Sequence, residues 1–159
     1  MVALGGPVFT ALADGDVSTA PVPLPAALAD PAEAPLWRMR ARQVAADPSV
    51  AAWVTGVVRD LDRGVVVGRA GFHGPPDARG MVEIGYAVLP EHRRRGYARA
   101  ALAVLLDRAR REPDVRVVRL AIAPGNAASL AVARPFGFRV VGEQVDEVDG
   151  PEVLYELDL

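Results

Sequence analysis

The feature that most constrains this chain is a strand-like run that leads, through a short turn, into a long amphipathic helix. Residues 81–89 form an apolar, partly β-branched run that Pro90 ends. Residues 96–111 follow, and apolar side chains recur there at helical spacing, at Ala98, Leu102, Leu105 and Ala109. A strand that leads into a helix with one apolar face indicates a layered fold, in which helices pack against a sheet.

Further elements are predicted along the chain by the same patterns. In the first half of the chain they are a first strand at 8–12, a loop at 13–35 that is rich in Pro and Ala from residue 20 and holds at most a short helix at 24–28, a helix at 35–46, and strands at 53–58 and 64–71. In the second half they are a fifth strand at 115–123, a helix from Asn126 to about Arg134, and final strands at 138–145 and 153–157 joined by Asp149-Gly150. This order predicts an α/β (mixed, α+β-like) fold in a single domain that covers residues 1–159. Residues 1–34 are the part that these patterns define least.

Composition and charge exclude several functional classes. The chain has 159 residues and a formal net charge of −2, so no overall charge attracts it to nucleic acid or to an anionic membrane. It has no cysteine, which excludes zinc–thiolate sites and thiol nucleophiles, and we expect no metal. No apolar run approaches the roughly 20 residues that span a bilayer, and no basic segment of a secretory signal begins the sequence. We therefore expect a cytoplasmic protein, monomeric or homodimeric, with no nucleic-acid or membrane partner.

The start of the helix at 96–111 has the chemistry of an anion site. The first turn of a helix presents unpaired N–H groups, and no Ser, Thr, Asp or Asn stands here to accept their hydrogen bonds. Gly96 permits close approach of a ligand, and Arg93, Arg94 and Arg95 precede it. These features predict a phosphate or diphosphate site, although the glycine spacing is neither that of a Walker loop nor that of a dinucleotide fingerprint.

Three motifs resemble the GCN5-related N-acetyltransferase (GNAT) superfamily. Arg93-x-x-Gly96-x-Ala98 matches that family's Gln/Arg-x-x-Gly-x-Gly/Ala signature between the fourth strand and the third helix. Asn126-x-x-Ser129, followed by Gly137-Phe138, resembles its Asn-x-x-Ser/Ala … Gly-Phe segment. Glu83-Ile84-Gly85-Tyr86 is similar to the branch that contains ribosomal-protein N-terminal acetyltransferases. The resemblance covers residues 35–159 well and residues 1–34 poorly.

The resemblance implies a fold and a cofactor. The fold is a mixed, mostly antiparallel sheet that is splayed between its fourth and fifth strands and flanked by about four helices. The cofactor is acetyl-coenzyme A, whose diphosphate the backbone of residues 94–99 would bind and whose pantetheine arm would pair with the backbone of residues 86–88. The cofactor-binding residues carried over are Tyr86, Ala87, Val88, Arg93, Arg94, Arg95, Gly96, Tyr97, Ala98, Arg99, Asn126 and Ser129.

The reaction implied is transfer of an acetyl group to a primary amine, on a protein N-terminus or on a small molecule. The amine must lose a proton, and Glu83 is our candidate base, directly or through a water molecule. On a regular strand Glu83 shares a face with the small residues Gly85 and Ala87. His73, in the preceding loop, is the second candidate catalytic residue. A backbone N–H near Val88 can polarise the thioester carbonyl.

One departure from the family pattern leaves alternatives open. Many members have a Tyr seven positions after the helix-capping Asn, where it can protonate the departing thiolate, but this chain has Ala133 there. Tyr86, Tyr97 or a water molecule would have to replace it. The alternative function is an acyl-coenzyme A-binding module with little or no turnover. A more distant alternative is an anion- or nucleic-acid-binding domain built on the arginine turn.

Overall fold

A computed structural model of the chain describes residues 1–146 and 150–159, and the described part forms a six-stranded sheet in the order β1-β2-β3-β4-β6-β5. The strands are β1 (Gly56–Asp60), β2 (Val65–Phe72), β3 (Met81–Val88), β4 (Val117–Ile122), β5 (Arg139–Asp146) and β6 (Gly150–Asp158). The helices are α1 (Gly6–Ala13), α2 (Ala34–Ala46), α3 (Tyr97–Arg111) and α4 (Ala127–Ala133), and short 3₁₀ turns lie at Ala26–Ala29, Pro48–Ala52, Pro90–His92 and Arg134–Phe136. The predicted mixed fold is confirmed; the predicted Asp149-Gly150 turn lies partly outside the described residues.

The predicted strand at 8–12 is wrong, because these residues belong to α1. Pro7 favours the first turn of a helix, where its missing N–H is not needed. Phe9 and Leu12 are buried on one side of the helix, and the Phe9 ring stacks on Trp37 of α2 at 6.0 Å between centroids. The N-terminal β contact is instead an isolated antiparallel bridge between Val2 and Val57.

Strands β3 and β4 separate partway along their length. They are the one parallel pair in the described sheet, and they are in register only from Met81 to Glu83, opposite Val117 to Arg119. All other neighbouring strands pair antiparallel. The predicted splay is therefore confirmed; its strands were the fourth and fifth of the prediction and are β3 and β4 here, because the first predicted strand is a helix.

The sheet has two faces with different cores. The α3 face carries alternate residues of β3 and β4, such as Ile84 and Leu120, which pack against the apolar side of α3 and against Leu130 and Ala133 of α4. The α2 face is covered partly by α1 and α2, whose core includes Phe9 and Trp37. No helix in the described part of the chain is long and apolar enough to cross a membrane.

Candidate active site

A cleft of about 680 Å³ opens where β3 and β4 have separated, between the end of β3, the start of α3 and the start of α4. It is lined by Tyr86, Ala87, Val88, His92, Arg93, Arg94, Gly96, Tyr97, Ala98, Arg99, Asn126, Ala128, Ser129 and Val132. The structure thus brings together every cofactor-binding residue of the prediction except Arg95, which does not line the cleft. His92, Ala128 and Val132 were missed; helical spacing from Ser129 would have found Val132, three residues later on α4.

The start of α3 keeps its N–H groups available. Gly96 is the N-cap residue, and it has a left-handed backbone (φ 84°) that favours glycine. No side chain in residues 1–146 or 150–159 accepts a hydrogen bond from the first turn, and a Cβ on Gly96 would meet none of their atoms within 4 Å. Arg94 also has a left-handed backbone (φ 59°), alone among the non-glycine residues that the structure describes. This turn aims the first N–H groups of α3 at the cleft, as an anion site requires.

The arginines around this turn are not neutralised by carboxylates. Arg93, Arg94, Arg95 and Arg99 are all exposed, and none of them forms an ion pair with another described residue. The Arg93 Nε donates a hydrogen bond to the Val88 carbonyl oxygen at 3.1 Å, which ties the turn to the end of β3. The positive charge is therefore free to act on a ligand in the cleft.

The start of α4 contrasts with the start of α3. Asn126 caps α4, and its Oδ1 accepts a hydrogen bond from the Ser129 N–H at 3.0 Å, as predicted. Both helices begin at the cleft, but among the side chains that the structure describes none accepts a hydrogen bond from the first turn of α3. The residues present therefore fit an extended ligand with a strongly anionic group at α3.

The two candidate catalytic residues lie together on the α2 face, outside the residues that line the cleft. His73 Nδ1 is 3.0 Å from Glu83 Oε1, and the His73 N–H donates to the Glu83 carbonyl oxygen at 2.8 Å. The Glu83 side chain is 18% exposed and that of His73 is 49% exposed. A Cβ on Gly85 would lie 2.7 Å from His73 Nε2, so the imidazole can occupy this position only over a glycine. Glu83 is also the last β3 residue paired with β4.

A buried arginine that was not predicted from the sequence binds the backbone carbonyl of His73. Arg40 of α2 is 2% exposed; its Nη1 donates to the His73 carbonyl oxygen and its Nε to Thr55 Oγ1, both at 3.0 Å. Gln43 Nε2 donates to the same His73 carbonyl at 3.0 Å. Burial, with the nearby charge of Arg69, lowers the pKa of Arg40 to about 10, so the guanidinium remains charged at neutral pH. No spacing or motif distinguishes this arginine from the other arginines of the chain.

A second ion pair, between the half-buried Arg119 and the buried Glu156, lies beside Glu83. Arg119 is opposite Glu83 in the β3–β4 register and opposite Glu156 in the β4–β6 register. Its Nη2 lies 2.7 Å from Glu156 Oε1, and Glu156 is 4% exposed and also 3.4 Å from Arg79 Nη2. Arg119 is thus committed to Glu156, and the ion-pair partner of Glu83 among the described residues is His73.

The tyrosines near the cleft differ in the state of their hydroxyls. Tyr97 donates a hydrogen bond to Asp60 Oδ2 at 2.5 Å, and this bond is the main reason that the pKa of Asp60 lies below its usual range. The Tyr86 hydroxyl is buried and makes no hydrogen bond of good geometry within the described part of the chain. Burial raises the pKa of Tyr86, and the nearby Ser129 hydroxyl offsets part of that rise. Ala133 is buried in the core on the α3 face.

Comparison with known proteins gives consistent matches. Residues 6–139 match the family model described as an acetyltransferase (GNAT) domain. Over 82 residues the chain is 35% identical to YjdG of Bacillus subtilis (strain 168), described as an uncharacterized N-acetyltransferase; the match covers 52% of this chain and 49% of YjdG, so the chain spans about half of that relative.

Two solved structures are also similar. One is yncA of Salmonella typhimurium, described as an acetyltransferase and solved with its cofactor acetyl-CoA: 29% identity, TM-score 0.61, covering 77% of this chain and 73% of that chain. The other is a ribosomal-protein-alanine N-acetyltransferase from Brucella melitensis: 25% identity, TM-score 0.65, covering 99% of this chain and 98% of that chain.

Proposed function

Because the chain belongs to the GNAT family of N-acetyltransferases, we propose that it transfers the acetyl group of acetyl-coenzyme A to a primary amine. The observation that carries this proposal is the uncapped start of α3, which faces a cleft among unpaired arginines. The N–H groups and the positive end of the helix dipole would bind the diphosphate, and Arg93, Arg94 and Arg99 would strengthen its binding.

The separated edge of β3 is suited to the pantetheine arm. Beyond Glu83 no strand of the described residues pairs with this edge, while the other edge of β3 remains paired with β2 up to Val88. Unpaired backbone groups of a strand bind amide-containing chains as an added strand would. We therefore assign Tyr86, Ala87 and Val88 to the arm, and a backbone N–H near Val88 to the thioester carbonyl. When bound, the cofactor supplies an activated acetyl group.

The His73–Glu83 pair would remove the proton of the amine. Glu83 lies where β3 and β4 begin to separate, and a carboxylate there can accept the proton directly or through a water molecule. His73 is half exposed, so it can pass that proton from Glu83 to solvent. Arg40 anchors the His73 backbone carbonyl, and Gly85 leaves room for the imidazole beside the carboxylate.

The acceptor that the comparisons favour is a protein α-amino group. The similarity to the Brucella melitensis ribosomal-protein-alanine N-acetyltransferase extends over almost the whole of both chains. A small-molecule amine remains the second acceptor class. The alternative function, an acyl-coenzyme A-binding module with little turnover, is favoured by one observation, namely the alanine at position 133.

The test combines calorimetric titration of acetyl-coenzyme A with a thiol-release assay. Peptides with an N-terminal alanine are compared with the same peptides after N-terminal blocking, and with a panel of small primary amines. We expect binding, and thiol release only with the free α-amino group. Binding without release on any amine would support the binding module, and release only with small amines would transfer the activity to that class. Absence of binding at millimolar cofactor would contradict both functions.

A further inference from the structure

The hydroxyl groups of the three tyrosines show which of them is available for chemistry in the cleft. The Tyr97 hydroxyl is engaged by Asp60. Tyr155 lies on β6, packs against the core of the α3 face and does not line the cleft. Tyr86 lines the cleft, and its hydroxyl is buried without a hydrogen bond of good geometry in the described residues. The neighbouring Ser129 hydroxyl acts as a donor toward the phenol oxygen, so the phenol O–H itself is left to donate to a ligand atom in the cleft.

The position of Tyr86 along β3 places it opposite the candidate base. Glu83 is the last residue of β3 paired with β4, and Tyr86 follows three residues later, where the strands have separated. Because side chains alternate along a strand, Glu83 is on the α2 face and Tyr86 is on the α3 face, beside Ser129 of α4. The gap between the strands therefore has a carboxylate on one side and a phenol on the other.

We propose that Tyr86 is the general acid that protonates the departing sulfur, in place of the tyrosine that the chain lacks at position 133. This inference rests on the proposed acetyl transfer. After the amine nitrogen has bonded to the acetyl carbon, the carbon–sulfur bond breaks and sulfur takes its electron pair. The Tyr86 Oη–H proton passes to that sulfur, giving the free thiol. The Tyr86 phenolate then regains a proton from water before the next turnover.

The acidity of the groups suits this transfer. A tyrosine phenol has a reference pKa of about 10 and an alkyl thiol of the cysteine kind about 8.5, so the proton moves between groups of similar acidity. Burial raises the pKa of Tyr86, which makes the phenol a weaker acid than free tyrosine, and the Ser129 hydroxyl offsets part of that rise. The Ser129 hydroxyl lies next to the phenol, but an aliphatic hydroxyl is too weak an acid to protonate the sulfur itself. Because it lowers the pKa of Tyr86, we assign Ser129 to stabilising the Tyr86 phenolate.

The experiment compares Tyr86→Phe with Tyr155→Phe, the same substitution on the same face of the sheet but outside the cleft. Single-turnover rates are measured with enzyme in excess, using acetyl-coenzyme A and its selenoester analogue, in which selenium replaces the thioester sulfur. A selenol is far more acidic than a thiol, so its anion leaves without a proton donor. Calorimetry gives the dissociation constant of each cofactor.

We expect Tyr86→Phe to lower the thioester rate by about 100-fold, since general acid catalysis contributes at least that much. With the selenoester we expect a loss below about threefold, and Tyr155→Phe should match the wild type on both substrates. Both dissociation constants should stay unchanged.

Three outcomes would overturn the assignment. A thioester rate equal to that of the wild type would show that no proton comes from Tyr86. Equal losses on thioester and selenoester would show a structural role only. If the wild-type chain binds the cofactor but transfers nothing to any amine, the proposed function fails first and the assignment fails with it, an outcome distinct from the other two.

Discussion

The two faces of the sheet treat their polar groups in opposite ways. Toward the cleft, the start of α3 has no side-chain cap and the arginines beside it have no ion-pair partner among the described residues. On the α2 face the polar groups are paired: His73 with Glu83, Arg119 with Glu156, and Arg40 with Thr55 and the His73 carbonyl. The first arrangement suits binding of an anionic ligand, and the second holds a catalytic carboxylate in one geometry.

Most of the buried side-chain nitrogen and oxygen atoms that make no hydrogen bond of good geometry in the described part of the chain belong to residues that line the cleft. Within the described residues they are Arg59 Nε, Tyr86 Oη and His92 Nδ1, and the latter two belong to residues that line the cleft. Buried unsatisfied atoms lower stability by about 1–3 kcal/mol each. Because two of the three belong to residues that line the cleft, we infer that a bound ligand supplies hydrogen-bond partners there.

The largest effect that separates the two faces is expected from Gly96→Glu. The substitution forces a left-handed backbone on a glutamate and directs a negative charge into the cleft. Hydrogen bonds to charged groups contribute about 1.5–3 kcal/mol each, so losing two weakens acetyl-coenzyme A binding by at least ~100-fold in calorimetry.

Gly15→Glu is the matched control, because Gly15 also has a positive φ (87°) and open space but does not line the cleft. It should cause similar backbone strain with unchanged cofactor affinity. Equal losses of affinity in the two variants would show that the site does not depend on the start of α3.

Glu83→Gln tests the other face. The amide cannot accept the proton of the amine, so the turnover number should fall by about 100-fold, while the dissociation constant of acetyl-coenzyme A stays within twofold. Glu112→Gln, which removes a carboxylate paired with Arg108 at the far end of α3, is the control and should behave as wild type in both measurements. Unchanged turnover in Glu83→Gln would remove this carboxylate from the mechanism.

Arg40→Met tests whether the buried arginine positions His73. The change leaves Thr55 Oγ1 without its donor and the His73 carbonyl with Gln43 as its remaining side-chain donor, so the free energy of unfolding should fall by about 2–4 kcal/mol in urea titrations. Turnover should fall about tenfold because the imidazole is less well ordered, a smaller effect than loss of the base itself.

Arg69→Met is the control. It removes the ion-pair partner of Glu33 on the same face of the sheet, and no hydrogen bond or ion pair joins the Arg69 side chain to His73 in the described residues. It should spare turnover. Suppose instead that in both variants the loss of turnover simply follows the loss in free energy of unfolding. Arg40 would then have no role in positioning His73.

The smallest effect is expected from Tyr97→Phe, which removes the hydroxyl bonded to Asp60. That bond lowers the folded-state pKa of Asp60 below its unfolded value of about 3.9, so its contribution to stability is present above that pH and disappears as the pH falls through the folded pKa. The melting temperature of the variant should therefore be lower than that of the wild type at pH 7, and this difference should vanish in strong acid. A difference that persists at low pH would assign the effect to packing of the ring.

The sequence predicted the parts of the fold and site that depend on local pattern. The strand at Met81–Val88, the helix at Tyr97–Arg111 and the Asn126 cap all follow from periodicity, Pro90 and known capping chemistry. The prediction at residues 8–12 was wrong because a short apolar run has no clear period. Packing of Phe9 against Trp37 favours the helix that the structure has there.

Long-range pairing was less accessible. His73 and Glu83 were each singled out, but only the register of β2 with β3 brings them within 3.0 Å. Arg40 is distant in sequence from everything it binds, and its burial depends on how α2 packs on the sheet. The state of the Tyr86 hydroxyl likewise depends on α4, which lies across the cleft. Such features follow from tertiary structure and leave no local signal.

A crystal structure with acetyl-coenzyme A bound would show where the diphosphate and the thioester lie. We predict that the diphosphate oxygens accept hydrogen bonds from the backbone N–H groups at the start of α3, between Arg94 and Arg99, at about 2.7–3.2 Å. We predict the thioester in the gap between β3 and β4, with its sulfur next to the Tyr86 hydroxyl. A diphosphate bound anywhere else, with the start of α3 facing only solvent, would show that the uncapped helix start is not the anion site.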